Sequence, residues 1–168
     1  MIERTLCLIK PDAVGRKVIG EIIHKIENHS FKICQMRMFE FSPGGAEYFY
    51  QEHEGKPFFN RLISFMASGP IVALLLEAEN AIEAFRNLIG NADPHNARPF
   101  SIRQQYGTTM PRNAIHGSDS KESADREISI IFGFEYRAIP ENRPRVGEAW
   151  TDSHRDLSAS LVDDKDLT

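Results

Sequence analysis

The chain has 168 residues, 41% hydrophobic and 26% charged, and its 20 Lys+Arg against 24 Asp+Glu give a formal net charge of −4. That is the composition of a water-soluble globular fold whose apolar core needs no metal or disulfide staple, and the acidic balance excludes a general nucleic-acid or anionic-membrane binder. No apolar run approaches the ~20 residues of a membrane span, and Met1-Ile2-Glu3-Arg4 carries no secretory or transit pattern, so a cytoplasmic protein is expected, with Cys7 and Cys34 as reduced core residues.

Thr5–Ile9 is a short apolar run stopped by Pro11 and reads as a buried central strand. Ile19, Ile22, Ile23 and Ile26 then recur at helical spacing, predicting an amphipathic helix that ends near Asn28-His29. Phe31–Phe41 alternates, with Ile33, Gln35, Arg37, Phe39 and Phe41 on one side and Cys34, Met36 and Met38 on the other. It predicts a long strand with one buried face. After Ser42-Pro43-Gly44-Gly45 come two short helical patterns, Ala46–His53 and Phe58–Met66, an expected helical hairpin. Ile71–Leu76 suits a strand covered on both faces, and Asn80 with Glu83 resembles a capping signal for a helix Ala81–Ile89 closed by Gly90. From Asn91 to Arg112 there is no clear period, and a loop of that length inside a domain tends to be functional. Ala114-Ile115-His116 forms a last short apolar run. It leads to a helix capped by Ser120, carrying Ala124, Ile128, Ile131 and Phe132, and stopped by Gly133. From Arg137 the chain turns polar and Pro/Arg/Asp-rich, as expected of a tail extended over the surface or disordered, with Trp150 as a possible anchor. Strands mixed with helices in this order predict an α/β sandwich, helices against a small and mostly antiparallel sheet.

His116 stands in Asn113-Ala114-Ile115-His116-Gly117-Ser118-Asp119-Ser120, where Gly117 removes bulk beside the imidazole and the polar residues after it can bond backbone and ring. An imidazole so placed serves as general base, metal ligand or covalent nucleophile; the competing role is a solvated or capping histidine. No second His, Cys or paired carboxylate lies at ligand spacing, and there is no Gly-x-Ser-x-Gly, which disfavours metal ligation and acyl transfer. Glu127 lies seven positions after Ser120 on the same helix face. There it either orients the imidazole through one ring nitrogen or is a solvated surface residue. Lys10 follows the first strand, where it either contacts phosphate or caps a sheet edge. Between Arg86 and Arg112 four arginines (Arg86, Arg98, Arg103, Arg112) face one acid, Asp93, a local excess of +3 suited to anions. Phe58 and Phe59 either both pack in the core or divide, one packing there while the other offers a platform for a planar base. With no glycine-rich phosphate loop, a nucleotide site here must be built from side chains.

Thr5-Leu6-Cys7-Leu8-Ile9-Lys10-Pro11-Asp12-Ala13-Val14 and Asn113–Ser120, with Lys56-Pro57-Phe58-Phe59 and Ser68-Gly69-Pro70 between them in order, closely resemble the nucleoside diphosphate kinase family. The resemblance runs from Glu3 to Tyr136. It implies a kinase domain over 1–136 followed by a C-terminal extension over 137–168. The implied fold is a ferredoxin-like βαββαβ core with a four-stranded antiparallel sheet, an inserted helical hairpin and a long loop before the active segment. The implied activity is ping-pong transfer of the γ-phosphate of a nucleoside triphosphate, mainly ATP, to nucleoside diphosphates. On that resemblance His116 is the histidine that becomes phosphorylated, and Glu127, helped by Ser118, holds its other ring nitrogen. Lys10, Tyr50, Arg86, Arg103 and Asn113 fall on residues that contact phosphates, sugar or histidine, and Phe58 falls on the base-stacking aromatic. Mg²⁺ rides on the nucleotide phosphates rather than on protein side chains. A homo-oligomer, tetramer or hexamer, is implied, with no membrane and no specific nucleic-acid partner.

The roles agree with the chemistry: phosphoryl transfer needs positioning and neutralised charge, and stacking on one ring accepts purines and pyrimidines alike. This chain departs from the family at Ala92, where a phosphate-binding threonine is usual. It departs again at Phe100-Ser101-Ile102-Arg103, where Phe100 replaces a glycine, and at Gln104-Gln105-Tyr106. These departures, with the added tail, leave open a second function, a nucleotide-binding or scaffolding member with weakened catalysis. A third, a ferredoxin-like RNA-binding module, lacks its aromatic motif on every predicted strand.

Overall fold

Strand β1 (Ile2–Ile9) and strand β3 (Ile71–Glu79) pair antiparallel along their full length, from Ile2↔Glu79 to Ile9↔Val72, and form the centre of the sheet. Strand β2 (Lys32–Phe39) pairs antiparallel with β3, and the short strand β4 (Ile115–Gly117) pairs antiparallel with β1. The sheet order is β2-β3-β1-β4. The computed structural model describes residues 1–133. Within them the helices are α1 (Pro11–Gly15), α2 (Ile19–Asn28), α3 (Pro43–Phe49), α4 (Phe59–Met66), α5 (Ala81–Ile89), α6 (Ile102–Tyr106) and α7 (Lys121–Phe132). Single 3₁₀ turns lie at Gln51–His53 and Pro94–Asn96. With α2 and α5 as the two crossovers, this is the expected ferredoxin-like βαββαβ core of the α+β class, with α3 and α4 inserted between β2 and β3. The tail from Arg137 to Thr168, Trp150 included, lies outside the described residues.

Burial explains why the central strands read as unbroken apolar runs. Cys7, Ile9, Val72, Leu74 and Leu76 pack on one face with Ile22, Ile26, Phe85, Leu88 and Ile89, while Leu6, Leu8, Ile71 and Ala73 pack on the other with Phe49, Leu62, Met66 and Ile131. A sheet covered on both sides has no polar face to alternate with. Both cysteines are buried and unpaired, and burial pushes the Cys7 thiol up, out of its reactive range. Among the described residues no helix is long and apolar enough to cross a membrane.

The differences from the sequence reading each have a local cause. β1 and β3 are longer than their apolar runs because charged residues finish the ladder: Arg4 pairs across strands with Glu77 at 3.1 Å, and Lys32 meets the same carboxylate at 3.4 Å. Pro11 does end β1, and it also opens α1, since a missing N–H costs nothing at a first helical position. β2 carries a bulge between Ile33 and Gln35, so Ile33 pairs with Leu76 and Gln35 with Leu75. The extra residue, Cys34, puts Ile33 and Gln35 on opposite faces, correcting the single-sided set predicted for the odd positions. Met36 and Met38, instead of facing a core, are 56% and 57% exposed on this edge strand. Asn80 precedes α5 with φ 47° and makes no side-chain cap; the Ile82 N–H is met by the Glu3 carboxylate of β1 at 3.4 Å. Ser120 does cap α7, accepting from the Ser123 N–H at 3.0 Å. The aperiodic stretch after Gly90 contains α6, whose five residues are too few to show a period, with Ser101 as its cap.

Gly117 is required on the side away from the imidazole. A Cβ there would lie 2.8 Å from the Phe85 ring and 3.1 Å from Ile89, where α5 packs closely on β4. Gly117→Ala is therefore expected to destabilise the fold by about 1–3 kcal/mol through overpacking, as read from a denaturant midpoint that falls with no change in slope.

Candidate active site

β4 is only three residues long, and its position is set by the turn before it. Ala114 has φ 71°, and the Ile115 N–H bonds the Asn113 carbonyl at 2.9 Å, closing a γ-turn of the rare strained form. The Ala114 N–H donates to Asp12 Oδ2 at 3.0 Å, and the Lys10 N–H donates to the Ala114 carbonyl at 2.9 Å. These bonds dock the turn on the end of β1 and place His116 opposite Leu8.

His116 Nε2 lies 2.9 Å from Glu127 Oε2, and the Ser118 hydroxyl donates to the same oxygen at 2.7 Å while accepting the Leu6 N–H at 3.2 Å. Glu127 is 3% exposed and bonded to the imidazole, so it is not a solvated helix residue. Burial alone raises its pKa, but the His116 ring beside it and the Ser118 hydroxyl hold it below the ordinary carboxylate value. With the carboxylate as acceptor, the proton is assigned to Nε2 and the lone pair to Nδ1. Phe49 and Tyr50 set their edges against the imidazole at 5.6 and 6.0 Å between ring centres. The Tyr50 hydroxyl is buried with no hydrogen-bond partner among the described residues, and burial, together with the Glu127 charge, pushes its pKa up.

Lys10 is buried rather than capping a sheet edge, and its ammonium donates to Asn113 Oδ1 at 2.7 Å and to the Pro111 carbonyl at 3.3 Å. Burial, reinforced by the Arg103 charge, lowers its pKa to about 7. Asn113 donates in turn to the Ala92 carbonyl at 2.7 Å. Arg103 is pinned from below: Nε and Nη2 donate to the Ile115 carbonyl at 3.3 and 3.0 Å, and Nη1 to the Gly90 carbonyl at 3.0 Å. Burial, with Arg86 nearby, lowers its pKa to about 10. A guanidinium has five N–H donors and an ammonium three, so Arg103 and Lys10 keep donors free for an anion after these bonds.

Two cavities meet at His116. One, of about 400 Å³, is lined by Lys10, Phe58, Arg61, Leu62, Met110 and Asn113 among others; the second, of about 390 Å³, adds Arg86, Asp119 and Glu52. Tyr50, His53, Ala92, Arg103 and His116 line both. Phe58 is 38% exposed in the first cavity whereas Phe59 packs against the core, so the two rings do not both pack inside. All nine sequence-predicted residues thus converge: His116, Glu127, Ser118, Lys10, Tyr50, Phe58, Arg86, Arg103 and Asn113. Arg98 and Arg112 of the basic stretch do not, since Arg98 caps the Asn87 carbonyl and Arg112 lies over the Phe65 ring at 5.2 Å. Sequence reading missed His53, which stacks on Tyr50, and Arg61, which lies three residues after Phe58 on the same face of α4. Helical spacing from Tyr50 and Phe58 was the signal that could have found both. Ala92 offers the cavities only a methyl group, and Phe100, at φ 66° and largely exposed, holds a backbone conformation that suits the glycine expected there.

A family model described as nucleoside diphosphate kinase matches residues 3–136. The nucleoside diphosphate kinase of Methanocaldococcus jannaschii is 49% identical over 132 residues, 79% of this chain and 94% of that protein. Among solved structures, the Aquifex aeolicus nucleoside diphosphate kinase superposes with a TM-score of 0.77 at 47% identity, covering 79% of this chain and 96% of that one. A halophilic nucleoside diphosphate kinase from Halobacterium salinarum, solved in complex with CDP, gives 0.79 at 36% identity over 89% and 98%.

The Lys10 ammonium makes anion binding pH-dependent. Above about 7 the empty site holds it neutral, so binding an anion that needs the charged form draws a proton from solvent onto Lys10. Sulfate, which does not titrate here, is expected to bind at full strength below pH 7 and to weaken by up to about tenfold per unit above it. Calorimetry in buffers of different ionisation enthalpy measures the proton uptake, and Lys10→Met is expected to remove it.

Proposed function

We propose that this chain, which belongs to the nucleoside diphosphate kinase family, moves the terminal phosphoryl group of a nucleoside triphosphate, mainly ATP, to nucleoside diphosphates through a phosphohistidine on His116. Membership makes it a nucleotide-binding phosphotransferase. The observation that carries the finer reading is the buried Glu127–His116 hydrogen bond, which leaves Nδ1 as the nucleophilic nitrogen beside a cationic cavity. In the first half-reaction the Nδ1 lone pair forms a bond to the γ-phosphorus. The bond from that phosphorus to the bridging oxygen breaks, and its electron pair leaves on the β-phosphate of the diphosphate product. Glu127 offsets the charge that appears on the phosphorylated ring. In the second half-reaction a β-phosphate oxygen of the acceptor attacks the same phosphorus and returns the electron pair to Nδ1. Lys10, Arg103 and Arg86 neutralise the phosphate oxygens, Asn113 fixes Lys10, and Tyr50 closes the wall.

The base stacks on Phe58, whose ring face accepts any base. CDP in the Halobacterium salinarum relative agrees with a pyrimidine nucleotide in such a site. Among the described residues no group of three His, Cys, Asp or Glu makes a metal site. The cavity does fit Mg²⁺ that arrives on the nucleotide, with Asp119 and Glu52 as the nearby carboxylates. When bound, Mg²⁺ supplies charge neutralisation on the phosphate oxygens. We assign the kinase domain to 1–136 and an extension to 137–168, in a cytoplasmic enzyme with no specific nucleic-acid partner. The edge of β2, unpaired among the described residues, with exposed Met36 and Met38, supports assembly of copies into a tetramer or hexamer.

Incubation with γ-labelled ATP tests the central step. The expected result is a label on the wild type that is acid-labile and base-stable, absent in His116→Ala and chased off by added nucleoside diphosphate; an unlabelled wild type overturns the mechanism. Weakened catalysis is the reading favoured by one observation, the bare methyl of Ala92 at both cavities. Ala92→Thr is expected to raise kcat/KM by about twofold to tenfold, the worth of one hydrogen bond of ~0.5–1.5 kcal/mol.

A further inference from the structure

Of the Lys10-Pro11-Asp12 segment, the phosphate chemistry uses only Lys10. The Asp12 side chain is nevertheless only 8% exposed. Its Oδ2 accepts the Ala114 N–H at 3.0 Å with Arg16 Nη2 3.9 Å away, and Oδ1 is buried with no hydrogen-bond partner among the described residues. A buried carboxylate with so few donors is costly and calls for a reason.

Ala114 supplies it. A residue with a β-carbon stays at φ 71° in a γ-turn only where its surroundings hold it there. Both backbone groups of Ala114 are held by the junction of β1 and α1, the N–H by the Asp12 carboxylate and the carbonyl by the Lys10 N–H. On one side of the clamped residue is Asn113, which bonds the Lys10 ammonium. On the other is Ile115, whose carbonyl seats Arg103, followed by His116.

We propose that Asp12 is a positioning residue of the transfer site: its carboxylate pins the strained turn at Ala114 and so sets where Asn113, Arg103 and His116 stand. The proposal rests on the transfer reading above. The Asp12 charge has a second effect in the same direction, opposing the burial and the Arg103 charge that pull the Lys10 ammonium down to about 7.

Full-length wild type, Asp12→Ala, Asp12→Asn and the double variant Asp12→Ala/Ala114→Gly are compared for ATP-to-diphosphate transfer, for ADP binding by calorimetry and for Tm. Asp12→Ala is expected to lower kcat by about tenfold to a hundredfold while KM changes by less than about threefold. Asp12→Asn, whose amide oxygen still accepts the Ala114 N–H, is expected to stay within about threefold of wild type. Adding Ala114→Gly is expected to recover most of the lost kcat, because glycine takes positive φ without a clamp. An unchanged kcat in Asp12→Ala, or a loss that Ala114→Gly does not recover, overturns the proposal. If Asp12→Ala does not fold, the double variant decides: restored folding and transfer support the clamp, and an unfolded or inactive protein overturns it. A wild type that binds ADP but transfers nothing overturns the transfer reading instead, and the ADP Kd series then carries the test. Weaker binding in Asp12→Ala restored by Ala114→Gly supports the clamp, and a flat series overturns it.

Discussion

A carboxylate almost sealed from water is the constraint around which the molecule is arranged. Burying Glu127 is tolerable only because two donors converge on a single oxygen, the His116 ring and the Ser118 hydroxyl. Those donors lie on β4 and just after it, and Ser118 also takes the Leu6 N–H of β1. One anion therefore fastens α7 to two strands and fixes the imidazole in a single tautomer. The requirement that would otherwise weaken the fold is the one that orients the imidazole.

The cationic half of the site follows the same logic with the sign reversed. Lys10 and Arg103 are drawn out of water and toward each other, and each is held by neutral oxygens from Asn113, Pro111, Gly90 and Ile115. Carbonyls orient a cation without cancelling its charge. Below the Lys10 pKa of about 7 a bound phosphate thus meets two positive groups already aimed, and above it one, Arg103, beside an amine already in place to take up a proton.

What was legible in the sequence was whatever repeats or punctuates. The isoleucines of α2, the apolar cores of β1 and β3, the Ser120 cap and the residues around His116 all announced themselves. The burial of Glu127 and Lys10 did not, because a charged residue on a helix face or after a strand looks the same whether or not another segment covers it. Nor did the bulge at Cys34, since one inserted residue leaves the alternation intact on paper while turning it over in space. The γ-turn at Ala114 carries no composition signal at all; alanine is the last residue one would assign to positive φ. The family resemblance singled out the candidate residues, and the structure supplied what each of them leans on.

The register of β1 against β3 also governs how the molecule comes into being on the ribosome. The first strand finds its partner only once Val72–Glu79 has emerged, and the strand bearing the histidine only once Ile115–Gly117 has. At ~5–20 residues per second, the intervening chain leaves that edge of β1 unpaired for roughly 4–14 seconds. The histidine strand, which among the described residues pairs only with the first one, arrives later still. A nascent chain cut short before that point keeps the two long central strands and has no active centre, so truncated products would be sticky and inert rather than partly competent.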